Sequence, residues 1–468
     1  MTLDKNFFQK IIPHALWLGN ASPSFNQVVI DSRSAKKDSV FFAFQGEKAD
    51  AHDFLLDAYQ NGARTFVLEK KREEKIKIFT HAMLQDSSIV LVDNVLHTLI
   101  NLAAAWRAEF NIPIVGITGS VGKTSTKEML VEVLKAAGKN VLATEGTRNT
   151  LMSVAAHLLS LNQKHDCAVF EMGVNKRGEM NVLANMVRPT MGIITTIAHS
   201  HMEGLGSLQD ISAEKRDIFK YFKAGDIGII NGDQPILAAI SYPHPVVKFG
   251  LKTTNQVQAR KIQMGNGTTS CSLKLYGKKY QLTLPTIHAG RLFNALSCAA
   301  AAHLLGIDHQ IILKGIENAP IVPGRFELKK LSGQRGILVH DCYNANPESM
   351  KEALLAFERM ETRGKKIAVL GDMLELGVNA PFWHRQLGRL LRKTPSLAHV
   401  VFVGNHIKAA EKTIPVGIPF SAVAHWQEAI IEIKRYLEQA GLENNLAILV
   451  KASNGVGLKN LVESIVES

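Results

Sequence analysis

The chain has 468 residues, enough for about three domains at an ordinary size of roughly 150 residues each. Apolar residues make up 46% and charged residues 21% of the sequence, a composition that excludes a disordered or collagen-like chain. Lys and Arg number 54 against 42 Asp and Glu, a formal net charge of +12, which favours an anionic partner such as nucleic acid, anionic lipid or a phosphorylated small molecule.

Cysteine content and hydropathy indicate the compartment. The four cysteines lie far apart, at positions 167, 271, 298 and 342, so neither a zinc site nor a disulfide framework is expected. The first residues contain no basic segment followed by an apolar one, and no signal peptide is predicted. The most apolar stretch, 295–307, has 13 residues, whereas a membrane span needs about 20. We therefore expect a cytoplasmic protein without membrane insertion.

Apolar runs that suit buried strands alternate with helical patterns, and this alternation predicts parallel α/β architecture. In the first part of the chain, strands are predicted at 28–30, 40–44 and 65–68. The middle part has predicted strands at 114–117, 167–170 and 192–197 and a helix at 124–137. In the last part, strands are predicted at 336–339, 367–370, 400–403 and 447–450, with a helix that begins at Pro347.

Segment 318–324 contains two prolines and a glycine and is predicted to be a linker. Together with a second boundary near residue 93, it divides the chain into three domains. Their predicted ranges are 1–93, 94–322 and 323–468.

Residues 116–125 read Gly-Ile-Thr-Gly-Ser-Val-Gly-Lys-Thr-Ser between a predicted strand and a predicted helix. Glycines in such a loop let backbone N–H groups surround phosphate oxygens, and the helix directs its positive end at the same charge. Lys123 would add a cation at the terminal phosphates, and the Thr124 hydroxyl can coordinate Mg²⁺. The predicted phosphate-binding residues are Thr118, Gly119, Ser120, Val121, Gly122, Lys123, Thr124 and Ser125.

A nucleoside triphosphate is itself an anionic ligand, so the positive net charge requires no nucleic acid. A P-loop protein that acts on nucleic acid stays an alternative at this point. However, the basic residues are scattered and aromatic residues make up only 7%. Because single-strand binding uses a basic groove with interleaved aromatic side chains, we expect no nucleic-acid partner.

Two further motifs are diagnostic when taken with the loop. Residues 341–350 read Asp-Cys-Tyr-Asn-Ala-Asn-Pro-Glu-Ser-Met, and residues 371–377 read Gly-Asp-Met-Leu-Glu-Leu-Gly. The whole chain resembles the Mur ligases, ATP-dependent amide-forming enzymes of bacterial peptidoglycan assembly. Both motifs are similar to those of the member that joins D-alanyl-D-alanine to UDP-N-acetylmuramoyl-tripeptide (UDP-MurNAc-tripeptide).

The resemblance implies a small α/β N-terminal domain that binds UDP, a central P-loop ATPase-type domain with a parallel sheet, and a C-terminal Rossmann-like domain. In the first of these, segments 31–33, 41–46 and 50–54 resemble the UDP-binding segments of the family. The residues implied to bind the UDP-linked substrate there are Ser32, Arg33, Gly46 and His52. A hydroxyl and a guanidinium after a strand are competent to bind a diphosphate.

The central domain is implied to carry the metal chemistry. Glu171 ends an apolar run, and a carboxylate at the end of a strand is where α/β sites collect ligands. His201 matches the metal-binding histidine of the family, although His199 lies only two residues away, and Lys215 matches the lysine that the family carbamylates with CO₂. The implied catalytic set is Lys123, Lys215, His201 and Glu171, with two Mg²⁺ ions held by Thr124, Glu171, His201 and Lys215.

The remaining residues are assigned by the same resemblance. The implied ATP contacts outside the loop are Asn294, Arg325, Asp341, Tyr343 and Asn344. The implied contacts to the peptide substrates are Asn149, Thr150, Asn346, Asp372, Lys451 and Ser453. His384 matches a family histidine to which no role is assigned.

The predicted activity is ATP-dependent ligation of D-alanyl-D-alanine to UDP-MurNAc-tripeptide through an acyl phosphate, by a protein expected to be a monomer. Two relatives stay as alternatives. One is the Mur ligase that adds the third peptide residue, which differs in its choice of amine. The other is a ligase of the folylpolyglutamate synthase type, which the UDP-type N-terminal segments disfavour.

Overall fold

The structure is a computed structural model that describes residues 3–19, 27–46, 49–334, 336–439 and 446–466. Within these ranges the strands form three sheets, each covered by helices. No helix within them is long and apolar enough to cross a membrane. The fold is α/β, and the three sheets correspond to three domains.

The N-terminal sheet has the strand order β1-β5-β4-β3-β2 in the described residues, with β1 antiparallel to β5 and the other neighbours parallel. Its strands are β1 (Leu16–Gly19), β2 (Gln27–Val29), β3 (Ser39–Phe42), β4 (Ala63–Glu69) and β5 (Ser88–Val92). Its helices are α1 (Lys5–Ile11), α2 (Leu55–Gln60) and α3 (His81–Asp86), and the helix that follows β5, α4 (Val95–Ala108), packs mainly against helices of the central domain. The three strands predicted here are confirmed, each with shifted ends.

The central sheet has the order β14-β13-β12-β11-β10-β9-β6-β8-β7 among the described residues. Its strands are β6 (Ile114–Thr118), β7 (Val141–Ala143), β8 (Cys167–Glu171), β9 (Met191–Ile194), β10 (Ile227–Asn231), β11 (Val246–Gly250), β12 (Val257–Gly265), β13 (Thr268–Leu275) and β14 (Lys278–Leu284). All neighbours are parallel up to β12, and the last two strands add an antiparallel extension.

Helices cover both faces of the central sheet. They are α5 (Lys123–Ala136), α6 (Leu151–Leu158), α7 (Glu179–Val187), α8 (Met202–Leu205), α9 (Leu208–Arg216), α10 (Pro235–Ala238), α11 (Ala289–Leu304) and α12 (His309–Asn318). One core joins α5, α11 and α12 to one face of the sheet, and a second joins α4, α6 and α7 to the other. Parallel strands buried on both faces explain the continuous apolar runs of the sequence.

The C-terminal sheet has the order β15-β16-β20-β17-β18-β19 in the described ranges, and β15 is antiparallel. Its strands are β15 (Glu327–Lys330), β16 (Gly336–Asp341), β17 (Lys366–Gly371), β18 (Leu397–Val403), β19 (Phe420–Val423) and β20 (Leu446–Lys451). The helices are α13 (Pro347–Arg359), α14 (Ala380–Leu390), α15 (Lys408–Glu411), α16 (Trp426–Gln439) and α17 (Leu458–Ile465). Residues 319–326, which overlap the predicted linker, form no helix or strand.

The central sheet places its ligand site by topology. Strand β6 lies between β8 and β9. The chain adds β7 and β8 on one side of β6 and then β9 on the other, so the strand order reverses at β6. In open parallel sheets, ligands bind beyond the carboxyl ends of the strands at such a point. The phosphate loop follows β6, Glu171 ends β8, and the loop that carries His199 and His201 follows β9.

The strand predicted at 192–197 is shorter in the structure, because β9 ends at Ile194. Beyond that residue Thr195 and Thr196 still bond to the backbone of Thr118 and Ser120, and side chains add further contacts. The Thr195 hydroxyl donates to the carbonyl of Val121 at 2.6 Å, and the Gln234 amide exchanges two 2.8 Å hydrogen bonds with the backbone of Ile197. The polypeptide is thus freed to turn toward the phosphate loop while its backbone groups stay satisfied.

Candidate active site

A cavity of about 290 Å³ opens at the carboxyl end of the central sheet and extends to the C-terminal domain. It brings together many of the predicted residues: Ser120, Val121, Gly122, Lys123, Ser125, Asn149, Glu171, His201, Asn294, Arg325, Asp341, Tyr343, Asn344, Asn346 and Lys451. Predictions for nucleotide, metal and peptide contacts therefore meet in one place.

The phosphate loop has the tight geometry that its glycines allow. Gly119 and Gly122 have φ angles of +147° and +92°. A Cβ on Gly122 would lie 2.4 Å from the Asn294 side-chain oxygen, so position 122 has no room for a side chain. Helix α5 starts directly at Lys123, whose amine donates to the carbonyl of Gly119 at 2.8 Å. The loop is folded for an anion, and its lysine bonds to the loop itself.

Glu171 is buried and held from two sides. The Thr144 hydroxyl accepts a hydrogen bond from the Glu171 backbone N–H, and the Asn149 amide donates to carboxylate oxygen Oε1 at 2.6 Å. The other oxygen, Oε2, is buried without a hydrogen-bond partner. A buried carboxylate oxygen without a partner costs free energy unless a cation or a donor meets it.

Lys215, on α9, is fully buried, and its amine has no hydrogen-bond partner. Burial, with the nearby charge of Lys123, lowers the pKa of the Lys215 amine well below its ordinary value. The neighbouring Glu214 does not pair with it, because the Glu214 carboxylate accepts the backbone N–H groups of Gly178 and Met180 at the start of α7. Lys215 thus presents a desolvated amine next to the phosphate loop.

The C-terminal domain contributes an arginine to the phosphate loop. Arg325 donates to the Thr124 hydroxyl at 3.4 Å, and its guanidinium lies 3.8 Å from the ring centroid of Tyr343. Burial lowers the pKa of Arg325 from its ordinary value, but an arginine stays charged at neutral pH. The Tyr343 ring therefore stacks on the guanidinium and helps to hold it in contact with the phosphate loop.

Asp341 and Lys451 form a buried ion pair across two neighbouring strands, with 2.8 Å between the carboxylate and the amine. The Lys451 amine also donates to the carbonyl of Asn344 at 3.0 Å, and Asp341 accepts the backbone N–H of Phe326 at 3.1 Å. Both residues line the cavity, and their pairing fixes the loop at 341–346.

Comparison with known proteins agrees with this geometry. Residues 117–302 match the family model of the Mur ligase middle domain, and residues 324–454 match that of the Mur ligase glutamate ligase domain. The chain is 31% identical to the UDP-N-acetylmuramoyl-tripeptide–D-alanyl-D-alanine ligase of Bacillus subtilis, over 96% of each chain. The chain belongs to the Mur ligase family.

Solved structures of this type superpose on the whole chain. MurF from Acinetobacter baumannii is 25% identical, with a TM-score of 0.86 over 99% of this chain and 98% of that one. MurF from Thermotoga maritima in complex with ADP is also 25% identical, with a TM-score of 0.78 over 94% and 96%. The three-domain Mur ligase architecture predicted from the sequence is confirmed.

Several residues predicted for this Mur ligase lie outside the cavity lining. Thr118, Gly119 and Thr124 of the phosphate loop and the buried Lys215 do not line the cavity, and Thr150 instead caps the start of α6. Asp372 and Ser453 are buried and hold backbone: Asp372 accepts the N–H groups of Asn405 and Ile407, and Ser453 accepts that of Leu374. Neither is brought to the cavity.

The UDP-site residues predicted in the N-terminal domain are also remote from the cavity. Arg33 is exposed and pairs with Asp31, and Ser32 begins a short 3₁₀ turn. His52 is buried with one ring nitrogen 2.5 Å from Asp50, while its Nε2 has no partner. Gly46 lies beside them in an exposed turn.

The sequence reasoning gave no role to several groups that line the cavity. Burial lowers the pKa of His288 to about 4 and raises the pKa of Glu352 to about 6. Glu348 and Glu375 contact His199 and His201. Glu348 lies in the motif at 341–350 and Glu375 in the motif at 371–377, and these positions were the available signal. His384 has both ring nitrogens hydrogen bonded, to Met373 N–H and the Ala380 carbonyl, and it packs structurally.

The donors fit a magnesium site that phosphate oxygens would complete. No cluster of three or more His, Cys, Asp or Glu side chains in the described ranges forms a metal cage. Mg²⁺ is commonly held by one or two carboxylates together with substrate phosphates and waters. Suitable donors are the unpartnered oxygen of Glu171, at the end of β8, and the hydroxyl of Thr124 in the phosphate loop.

Asp372 allows a test that separates structural from substrate contacts. Replacing Asp372→Asn turns one of its two acceptors into a donor that faces a backbone N–H, and we expect the free energy of unfolding to fall by about 1–3 kcal/mol. The Michaelis constants for both peptide substrates should stay within twofold of the wild type. A raised Michaelis constant with unchanged thermal stability would instead support a direct substrate contact.

Proposed function

We propose that this Mur ligase joins D-alanyl-D-alanine to UDP-MurNAc-tripeptide with hydrolysis of ATP, which gives the pentapeptide precursor of peptidoglycan. Two observations together support this proposal. The chain is similar over its full length to ligases with this named activity, and its phosphate loop faces an arginine of the C-terminal domain. The family alternatives would use the same phosphate loop, so the choice of amine decides between them.

The chemistry follows from the weakness of a carboxylate as an acyl donor. An oxygen of the tripeptide carboxylate attacks the γ-phosphorus of ATP, the bond to ADP breaks, and an acyl phosphate forms. The amine of D-alanyl-D-alanine then attacks the carbonyl carbon and loses a proton, and phosphate leaves with its bridging oxygen. Phosphoryl transfer of this kind requires alignment and charge neutralisation more than covalent catalysis.

The residues divide this work. Lys123 and the backbone N–H groups of the loop bind the β- and γ-phosphates, and Arg325 approaches them from the C-terminal domain. Asn294 lies against the loop at Gly122. Tyr343 and Asn344, which line the cavity, would hold the adenine, and His288 and Phe326 line the same cavity with ring centroids 4.8 Å apart. Asp341 is placed to accept from a ribose hydroxyl.

Two Mg²⁺ ions would be held by Thr124, Glu171, His201 and a modified Lys215, and would neutralise charge on the transferred phosphoryl group. Lys215 supports this proposal because CO₂ adds only to a neutral amine, and burial favours that form. In the modification the nitrogen bonds to the carbon of CO₂ and releases a proton, so that the cation is replaced by a carbamate anion.

The UDP-linked substrate would extend from the N-terminal domain to Glu171. The two domains interact electrostatically along this path. The pKa of Asp31 is lowered mainly by its hydrogen bonds with Arg33, and the positive charge of Arg148 in the central domain also lowers it. Arg148 belongs to the segment that leads to Asn149, which bonds to Glu171. Ser32, Arg33, Gly46 and His52 would bind the UDP end, and Asn149, Thr150, Asn346 and Lys451 the peptide end.

The domain ranges proposed are 1–93, 94–322 and 323–468, because each sheet lies inside one of them. We also propose that the enzyme acts as a cytoplasmic monomer. The precursor it would use is a soluble nucleotide-linked peptide, which suits that location.

The proposed amine is tested by ATP-dependent phosphate release with purified UDP-MurNAc-tripeptide. D-alanyl-D-alanine, meso-diaminopimelate, L-lysine and glutamate are offered in turn. We expect release only with D-alanyl-D-alanine, and we expect Lys123→Ala to reduce it by roughly 10³-fold or more through loss of phosphate stabilisation. Lys135→Ala, an exposed lysine on the same helix, is the control and should retain full activity. Release with another amine alone would overturn the proposal.

The proposed carbamate is tested by NMR with ¹³C-labelled bicarbonate. The wild type should give a carbamate resonance that Lys215→Arg lacks, since a guanidinium does not add CO₂. Lys220→Arg, an exposed neighbour, should keep the signal. A resonance that persists in a folded Lys215→Arg protein would place the modification elsewhere or exclude it at Lys215.

A further inference from the structure

The loop at 198–203 lies between the phosphate loop and the C-terminal domain. On one side, Ser120 of the phosphate loop donates from its hydroxyl to the carbonyl of Ala198 at 2.9 Å, and its N–H donates to the carbonyl of Thr196. On the other side, the N–H of Glu203 donates to the carbonyl of Glu375 at 3.3 Å. The loop is therefore in contact with both partners of the nucleotide cavity.

His199 contacts two side chains of the C-terminal domain, Glu348 and Trp383. One oxygen of Glu348 accepts the backbone N–H of His199 at 3.2 Å, and the other lies 2.5 Å from ring nitrogen Nδ1. The His199 ring also packs on Trp383 of α14, with 4.3 Å between centroids. Glu348 lies in the first turn of α13, so a helix holds the acceptor in place.

His201 has a second carboxylate from the same domain. Its Nδ1 lies 2.5 Å from Oε2 of Glu375, although this contact does not have the geometry of a hydrogen bond. The carboxylate therefore limits the directions in which the His201 ring can turn. Both residues have left-handed backbones, with φ of +53° for His201 and +63° for Glu375. Strained backbone at a contact is maintained only where the surroundings fix it.

We propose that Glu375 is a positioning residue of the C-terminal domain that orients His201 for metal binding, while Glu348 holds the same loop through His199, so that docking of this domain completes the metal site. This inference rests on the proposed role of His201 as a ligand. Histidines that bind metals usually donate their second ring N–H to a carboxylate or carbonyl, which fixes the tautomer and the ring direction. Here the carboxylate comes from a different domain than the histidine.

The arrangement links two events that the reaction must order. When the C-terminal domain is undocked, His201 lacks its carboxylate and the loop loses its Glu348 contact. When the domain docks, Arg325 reaches the phosphate loop and His201 is oriented in the same movement. Metal affinity should therefore depend on side chains that are themselves remote from the phosphates.

The test measures Mn²⁺ binding to the full-length protein in the presence of a non-hydrolysable ATP analogue, by isothermal titration calorimetry. We expect Glu375→Ala to weaken Mn²⁺ affinity about 10–100-fold, and Glu348→Ala to weaken it less. Glu375→Gln should recover part of the loss, because glutamine keeps the size of the side chain and an oxygen that can contact the His201 ring. Binding of the analogue without metal and the melting temperature should stay close to the wild type.

Glu361→Gln replaces an exposed carboxylate of the same domain and should leave Mn²⁺ affinity unchanged. His201→Ala separates this inference from the proposed function. If His201→Ala weakens Mn²⁺ binding and Glu375→Ala stays within twofold of the wild type, the positioning role is wrong while the ligand role stands. If His201→Ala has no effect, the proposed ligand role itself fails.

Discussion

The burial of lysine amines next to one loop is the constraint on which the rest of this structure depends. Lys215 is completely buried with no acceptor, and Lys123 beside it has only a carbonyl of its own loop. A buried amine without a hydrogen-bond acceptor costs free energy whether it is charged or neutral. Folding tolerates this cost here because a large parallel sheet and its two helical layers hold the surroundings rigid. A polyphosphate, and an anionic modification of Lys215, would each relieve that cost.

The C-terminal domain also takes part in the site. Its sheet is separate from the central sheet, yet Arg325, Glu348 and Glu375 all contact the phosphate loop or the loop after β9. The linker that joins the domains is itself fixed, because Arg291 donates to the carbonyls of Ala319 and Pro320. The cavity is thus complete only when two domains meet, which suits a reaction whose acyl phosphate must be protected from water.

Much of the fold and the nucleotide end of the site could be predicted from the sequence. The strand at β6, the glycines and Lys123 are adjacent in the chain, so local pattern was sufficient. The motif at 341–350 likewise placed Asp341 and Asn344 at the cavity. The limits of β9 were mispredicted because side chains of Thr195 and Gln234 add contacts to the backbone beyond Ile194, and no local pattern reports that.

Contacts between residues far apart in sequence were beyond reach. Glu348 and His199 are 149 positions apart, and nothing in the order of residues pairs them. Asp372 shows the converse: it lies within a recognised motif, which suggested a substrate contact, but its carboxylate is occupied by backbone N–H groups. A motif identifies residues that matter without telling whether they hold the substrate or the chain.

In the proposed reaction the enzyme activates a carboxylate by phosphorylating it. The most direct measurement uses UDP-MurNAc-tripeptide labelled with ¹⁸O in its terminal carboxylate, with mass analysis of the phosphate released during ligation to D-alanyl-D-alanine. We expect one labelled oxygen to pass to inorganic phosphate for each amide bond formed. Phosphate that carries no label from the substrate would contradict it.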